Sequence, residues 1–286
     1  MTLIDLHLGP RPDEPGPPIS RGPQAYSAEV TARLASDAAQ IMARYPESRS
    51  ALLPLLHLVQ SEDGYLTPAG ISFCAGQLSL SPAEVTAVAT FYSMYRRTPT
   101  GEYLVGVCTN TLCAVMGGDA ILEVLEEHLD LHAGQTTDPV EGQASITLEH
   151  LECNAACDYA PVIMVNWEFF DNQTPASARN LVDDLRSGTP VAATRGGSPC
   201  SFRDTSRILA GFADRRPGAN DGPTAGDATL AGLRVAHELG MTAPDPDESH
   251  STAAGPDDEK MTEQAVRDQP APGPQADLPP TNGAHS

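Results

Sequence analysis

The sequence predicts an α/β protein: an N-terminal helical bundle, then a small sheet domain flanked by helices, then an acidic tail expected to be disordered. Three observations carry this. Apolar residues recur at helical spacing through residues 25–97. Through residues 98–195, short apolar runs bounded by turn residues alternate with two amphipathic helical stretches. Through residues 196–286, Pro, Gly and acidic side chains take over, and 211–286 hold 13 acidic against 5 basic residues. Such a stretch buries too little apolar surface to offset its ordering entropy.

Residues 1–24 carry Pro10, Pro12, Pro15, Pro17, Pro18 and Pro23 and are predicted as a flexible leader. Ser27 is placed to cap a first helix, in which Val30, Leu34, Ala38, Ile41 and Tyr45 share one face until Pro46. A second helix is predicted from about Ser50 to Gln60, with Pro54 near its first turn, where the missing N–H does little harm. Glu62-Asp63-Gly64 breaks the chain, and Thr67-Pro68 opens a short helix. Ser81-Pro82-Ala83-Glu84 has capping-box spacing with Pro at the first helical position. The helix it opens carries Val85, Val88, Ala89, Tyr92 and Tyr95 on one side.

In the second part, Tyr103 to Val107 reads as a buried strand. Gly117-Gly118 precede a helix striped by Ile121, Leu122, Leu125 and Leu129. Ser145–Leu151 and Val162–Val165 read as strands, with Trp167–Phe170 as the return arm of a hairpin around Asn166. Thr174-Pro175 opens a last helix, with Ala178, Leu181, Val182 and Leu185 inward and Gly188 at its end. Inside the tail, Asp227–Met241 is read as a transient amphipathic helix, a docking segment being the alternative.

Composition excludes several function classes. Lys+Arg is 17 and Asp+Glu is 38, a formal charge of −21, the wrong sign for phosphate neutralisation or for a polybasic membrane surface. The longest apolar stretch, Ala51–Val59, is broken by Pro54 and His57 and is too short to span a bilayer. The N-terminus shows neither a basic n-region nor a long apolar h-region, so the six cysteines are expected in a reducing compartment. There, close spacing points to metal or redox chemistry rather than disulfides.

Four cysteines form two pairs. Cys108-x4-Cys113 follows a predicted strand, and Cys153-x3-Cys157 lies between two predicted strands, both in loops. Loops at the same edge of a sheet can bring four thiolates together, and thiolates select zinc, copper(I) or iron–sulfur. Structural zinc favours tighter C-x2-C knuckles, although wider spacings occur. The two wider loops suit a two-iron cluster, with one pair of cysteines per iron. A Rieske centre is disfavoured: His150 lies near Cys153, but the first pair has no histidine partner. The C-x-x-C of a dithiol oxidoreductase is absent.

The segment Val107-Cys-Thr-Asn-Thr-Leu-Cys113 with Gly117-Gly118, and the segment Leu151-Glu-Cys-Asn-Ala-Ala-Cys-Asp-Tyr-Ala-Pro161, resemble the thioredoxin-like [2Fe–2S] ferredoxin family. Within it they are most similar to the branch that serves NADH–quinone oxidoreductases. Leu55–Leu66 and Ala87–Met94 resemble the N-terminal helical motifs of the same branch, so the likeness covers roughly residues 25–190. It implies a thioredoxin-like domain in which Cys108, Cys113, Cys153 and Cys157 ligate one [2Fe–2S] cluster. It implies a one-electron carrier with no NADH or substrate site of its own. FMN and NADH would sit on a partner subunit onto which this chain docks with other peripheral-arm subunits, on the cytoplasmic side of the membrane without entering it. Alternatives are the equivalent subunit of a soluble NAD-linked hydrogenase or formate dehydrogenase, a free-standing ferredoxin, and a zinc-stabilised interaction module.

Backbone N–H groups of both loops and the start of the helix after Gly118 are expected to offset the cluster's negative charge. Glu152 and Asp158 would oppose reduction if they faced it. Cys74 is read as a small buried hydrophobe and Cys200 as a free thiol in weakly ordered chain. His128 and His132 are read as a solvated face, and Pro161 is left open between cis and trans, trans being the base-rate expectation. Phe91, Tyr92 and Tyr95 are divided between core packing and a docking face.

Overall fold

The computed structural model describes residues 19–219, 221–222 and 224–243; the rest of the predicted leader and tail, 1–18 and 244–286, lies outside the described residues. Four helices come first: α1 (Ala28–Met42), α2 (Leu52–Asp63), α3 (Pro68–Leu78) and α4 (Pro82–Phe91). Three start from local instructions. Ser27 accepts the N–H of Val30, Thr67 accepts that of Gly70, and Ser81 with Glu84 makes a reciprocal capping box. Such caps contribute about 1 kcal/mol each. A 3-10 turn at Ser48–Ala51 leads into α2, so Pro54 falls in the first turn.

Leu34, Ile41, Leu55, Leu56, Leu58 and Leu66 are fully buried between these helices. Ile19, from the expected leader, is buried in the same core. Tyr95 lies past the end of α4 yet is buried, its hydroxyl donating to the Leu53 carbonyl at 2.9 Å.

The sheet has strands β1 (Tyr103–Cys108), β2 (Ile146–Leu151), β3 (Ile163–Val165) and β4 (Glu168–Phe170), ordered β2-β1-β3-β4. β1 and β2 run parallel, and the other pairs are antiparallel. A parallel pair needs a crossover, which here contains α5 (Thr111–Val115) and α6 (Gly118–Leu129). α6 and α7 (Pro175–Ser187) cover one face. Ile121, Leu125, Leu181 and Leu185 meet Val105, Val107, Ile146, Leu148, Ile163 and Val165 there. Burying each such side chain is worth roughly 1.5–3 kcal/mol. The β3–β4 turn places Asn166 and Trp167 at φ 47° and 72°, the signs a two-residue hairpin turn requires. The Asn166 side chain accepts from the Leu104 N–H at 2.8 Å and donates to the Glu102 and Cys200 carbonyls.

Order does not fade at residue 196 as composition predicts. α8 (Phe202–Leu209) packs on α2 with Phe202 and Ser206 buried. The Phe202 ring stacks on Trp167 at a centroid distance of 5.8 Å. Gln60 of α2 donates to Ser206 Oγ at 3.3 Å and to the Met94 carbonyl at 3.2 Å, and accepts from the Arg96 N–H at 2.8 Å. α8 is therefore tied to the helical core by the Gln60–Ser206 hydrogen bond and to the β3–β4 hairpin by the aromatic stack.

The chain through Leu230 forms one unit and the remainder a second. In the second, α9 (Ala231–Glu238) coincides with the short amphipathic stretch read from sequence, with Leu233 and Val235 exposed. Among the described residues, no helix is long and apolar enough to cross a membrane.

Candidate metal centre

Parallel pairing puts the C-terminal ends of β1 and β2 side by side, with Cys108 opposite Leu151. Cys153 follows two residues after that strand end. β3 runs the other way and starts at the same edge, where the Cys108 N–H donates to the Val162 carbonyl at 3.2 Å. Cys157 opens a 3-10 turn, Cys157–Tyr159, on the way to β3. Cys113 is not in a loop as expected: it lies on α5, whose N-cap Asn110 accepts from the Thr111 N–H. The short helix was readable from that cap, but five residues carry too little periodicity to announce themselves.

The thiols come two and two. Cys153 Sγ lies 3.6 Å from Cys157 Sγ, and Cys108 and Cys113 are buried at the end of β1 and on α5, their carbonyls both against Gly118. The turn carrying Cys157 leads into β3, whose start meets Cys108 at the same sheet edge, so the two pairs share one neighbourhood. Among the described residues no three Cys, His, Asp or Glu side chains converge to hold a single metal ion.

A backbone donor faces the second pair. The Ala155 N–H reaches Cys153 Sγ at 3.3 Å. Burial, reinforced by the neighbouring Cys108, pushes the Cys113 thiol up to about 11. The hydrogen bond to Cys153 raises Cys157. Metal ligation needs these groups as thiolates, so loading such a site releases protons. The turn into α6 brings backbone against backbone: a Cβ on Gly118 would lie 2.5 Å from the Cys108 carbonyl oxygen and 2.9 Å from that of Cys113. Only glycine lets α6 begin this close to both members of the first pair.

The two flanking acids have partners. Glu152 accepts from Asn110 Nδ2 at 3.2 Å. Asp158 accepts from the Thr229 hydroxyl, which together with Arg195 at 3.3 Å holds the carboxyl below its usual range. Sequence reasoning missed Arg195 and Thr229, which reach the site only through tertiary contacts. Ala160–Pro161 is cis, not trans.

Cys74 is fully buried, and burial raises its thiol. Cys200 lies in ordered chain, half-buried, 3.2 Å from Thr205 Oγ1. His128 pairs with Asp183 at 2.6 Å, whereas His132 points to solvent near Glu126, so the two do not converge. Phe91 is 79% exposed and Tyr92 37%, while Tyr95 is core. A cavity of about 480 Å³ opens beside Cys153, lined by Met94, Leu104, Met164, Trp167 and Phe169 among others. A larger concavity of about 790 Å³, next to Leu131 and Arg186, contains none of the cysteines.

A family profile described as thioredoxin-like [2Fe–2S] ferredoxin matches residues 38–186. The chain is 64% identical over 242 residues to the E subunit of the NADH-quinone oxidoreductase of Mycobacterium tuberculosis (strain ATCC 25618 / H37Rv), covering 84% of this chain and 94% of the relative. It is 35% identical over 155 residues to the mitochondrial NADH dehydrogenase [ubiquinone] flavoprotein 2 of Dictyostelium discoideum, covering 53% and 61%. A chain of an air-oxidized NAD+-reducing [NiFe]-hydrogenase overlays 47% of this chain and 22% of its own length, with a TM-score of 0.42 and 23% identity; an overlay this partial carries no functional argument.

Proposed function

The chain belongs to the thioredoxin-like [2Fe–2S] ferredoxin family, and from that premise we propose that it is the one-electron transfer subunit of an NADH–quinone oxidoreductase, with Cys108, Cys113, Cys153 and Cys157 as the ligands of its [2Fe–2S] cluster. The observation that supports the ligand set is the meeting of the two cysteine segments at one end of the sheet, with Cys153 and Cys157 3.6 Å apart at sulfur. When bound, the cluster accepts and returns one electron. The chain's own residues hold it and balance its charge. Ala155 aims its N–H at the Cys153 sulfur, and Arg195 and Asn110 engage Asp158 and Glu152, each next in sequence to a cysteine of the second pair. Donors of this kind lower the cost of adding an electron to an anionic group.

NADH and FMN bind on a partner subunit in this reading, and the exposed Phe91 and Tyr92 contribute to the face that docks there. The assembly sits at the cytoplasmic side of the membrane. Oxygen-protected purification of the whole chain tests the reading. The expected product is red-brown, contains iron and sulfide, and gives an EPR signal on reduction. Colourless protein that holds zinc would overturn it. Co-purification with a flavin-bearing subunit tests the docking.

A further inference from the structure

We propose that the chain beyond the family-matched region is a strap that positions the second ligand loop: Arg195 and Thr229 grip Asp158 from outside and so hold Cys157 in place. This rests on the ligand reading above. The second pair has little of its own to fix it, since both cysteines are exposed and the chain between them includes Ala155 at φ +53°. The turn that carries Cys157 is instead held through the two residues after it.

Arg195 reaches Asp158 at 3.3 Å with one guanidinium nitrogen and Asp171 at 2.7 Å with the other. Its guanidinium also lies 5.4 Å from the ring centres of both Tyr159 and Phe169. The segment is itself anchored to the sheet. The Thr194 N–H donates to the Phe169 carbonyl at 2.8 Å, and Thr194 Oγ1 accepts from the Asp171 N–H at 2.8 Å. A second grip comes from much further along the chain. The Thr229 hydroxyl donates to Asp158, and the Ala228 N–H donates to the Tyr159 hydroxyl at 3.2 Å. Asp158 and Tyr159 are thus each held twice. The profile match ends at residue 186, so both grips lie outside it.

Physically, Asp158 is a carboxylate next to a ligand of an anionic group. Arg195 neutralises it and fixes the planar fork between two carboxylates, a geometry lysine does not reproduce. Arg195 is therefore a positioning residue acting through Asp158, and Thr229 supports it.

The test uses the full chain, isolated without oxygen, as wild type and as Arg195→Gln, Arg195→Lys and Thr229→Val. Iron release to a ferrous chelator and EPR-monitored redox titration are measured on each. Arg195→Gln should release iron about tenfold faster, the low end for loss of a group that supports a metal ligand, and should titrate at a lower potential because Asp158 is left unbalanced. Arg195→Lys should recover the potential but not the slow release. Thr229→Val should speed release less, with little change in potential; because Thr229 is exposed, this variant still decides the matter if Arg195→Gln does not fold. Wild-type release and potential in the folded variants would overturn the strap alone. Iron-free wild-type protein would overturn the ligand reading and the strap with it.

Discussion

The two cysteine pairs differ in what holds them. Cys108 and Cys113 are 2% and 3% exposed, one at the end of a central strand and the other on a capped helix. Cys153 and Cys157 are exposed, one in irregular chain and the other at the start of a short 3-10 turn. The first pair draws its position from the hydrophobic core, because moving it would disturb the β1 ladder and the entry to α6. The second draws its position from hydrogen bonds and ion pairs at the surface. A buried frame carries one half of the site and a polar brace carries the other, so the halves should fail in different ways.

Single cysteine substitutions give the largest effect. Cys113→Ser and Cys157→Ser should each bleach the protein and abolish the reduced-state EPR signal. Thermal unfolding of the metal-free proteins separates them. Cys113→Ser should lower stability by about 1 kcal/mol or more through a buried hydroxyl, whereas Cys157→Ser should leave it unchanged. Equal destabilisation would erase the distinction between frame and brace.

Gly118→Ala attacks the frame alone. The added methyl meets two backbone carbonyl oxygens that belong to the first pair, so a loss of about 1–3 kcal/mol is expected, measured by urea unfolding, together with reduced iron content. Full iron content with native stability would show that the frame has slack.

Acid probes the helical core, which lies apart from both halves. Burial lowers His57 to about 4, while the unfolded chain protonates near the ordinary value of about 6.5. Above that value both states are neutral and the histidine has no effect. As pH falls from about 6.5 toward 4, the unfolded state gains the proton first, and stability drops by up to about 3 kcal/mol. His57→Leu should remove that part of the acid sensitivity, measured as the difference in unfolding free energy between pH 7.5 and 5. An unchanged pH dependence would contradict a buried neutral imidazole.

The smallest effect on stability belongs to Phe91→Asp. At 79% exposure the change should move unfolding by no more than about 0.5 kcal/mol. It should still reduce co-purification with the flavin-bearing subunit, and undiminished recovery would remove Phe91 from the docking face.

The contrast between the halves also marks how far the sequence could be read. Features set by neighbours a few residues away were legible: the Ser81–Glu84 box, the Thr174-Pro175 start, the Asn166 hairpin and the spacing within each cysteine pair. So were the strands of the parallel ladder, because Val105, Val107, Ile146 and Leu148 form short buried runs. α8 was not. Its buried side includes Thr205 and Ser206 as well as Phe202, and these are inward because of Gln60 and Trp167, far away in sequence. A composition averaged over the following acidic chain hid it. Arg195 was hidden for the same reason, since its two carboxylate partners lie 37 and 24 residues away. Surface-braced geometry leaves no periodic trace.

Trp167 is the protein's single tryptophan, and it rests on Phe202 where the hairpin meets α8. Intrinsic fluorescence therefore originates from one junction. If α8 lifts away, the indole becomes more exposed to water and its emission shifts to the red, which gives an optical reading of this joint without any label.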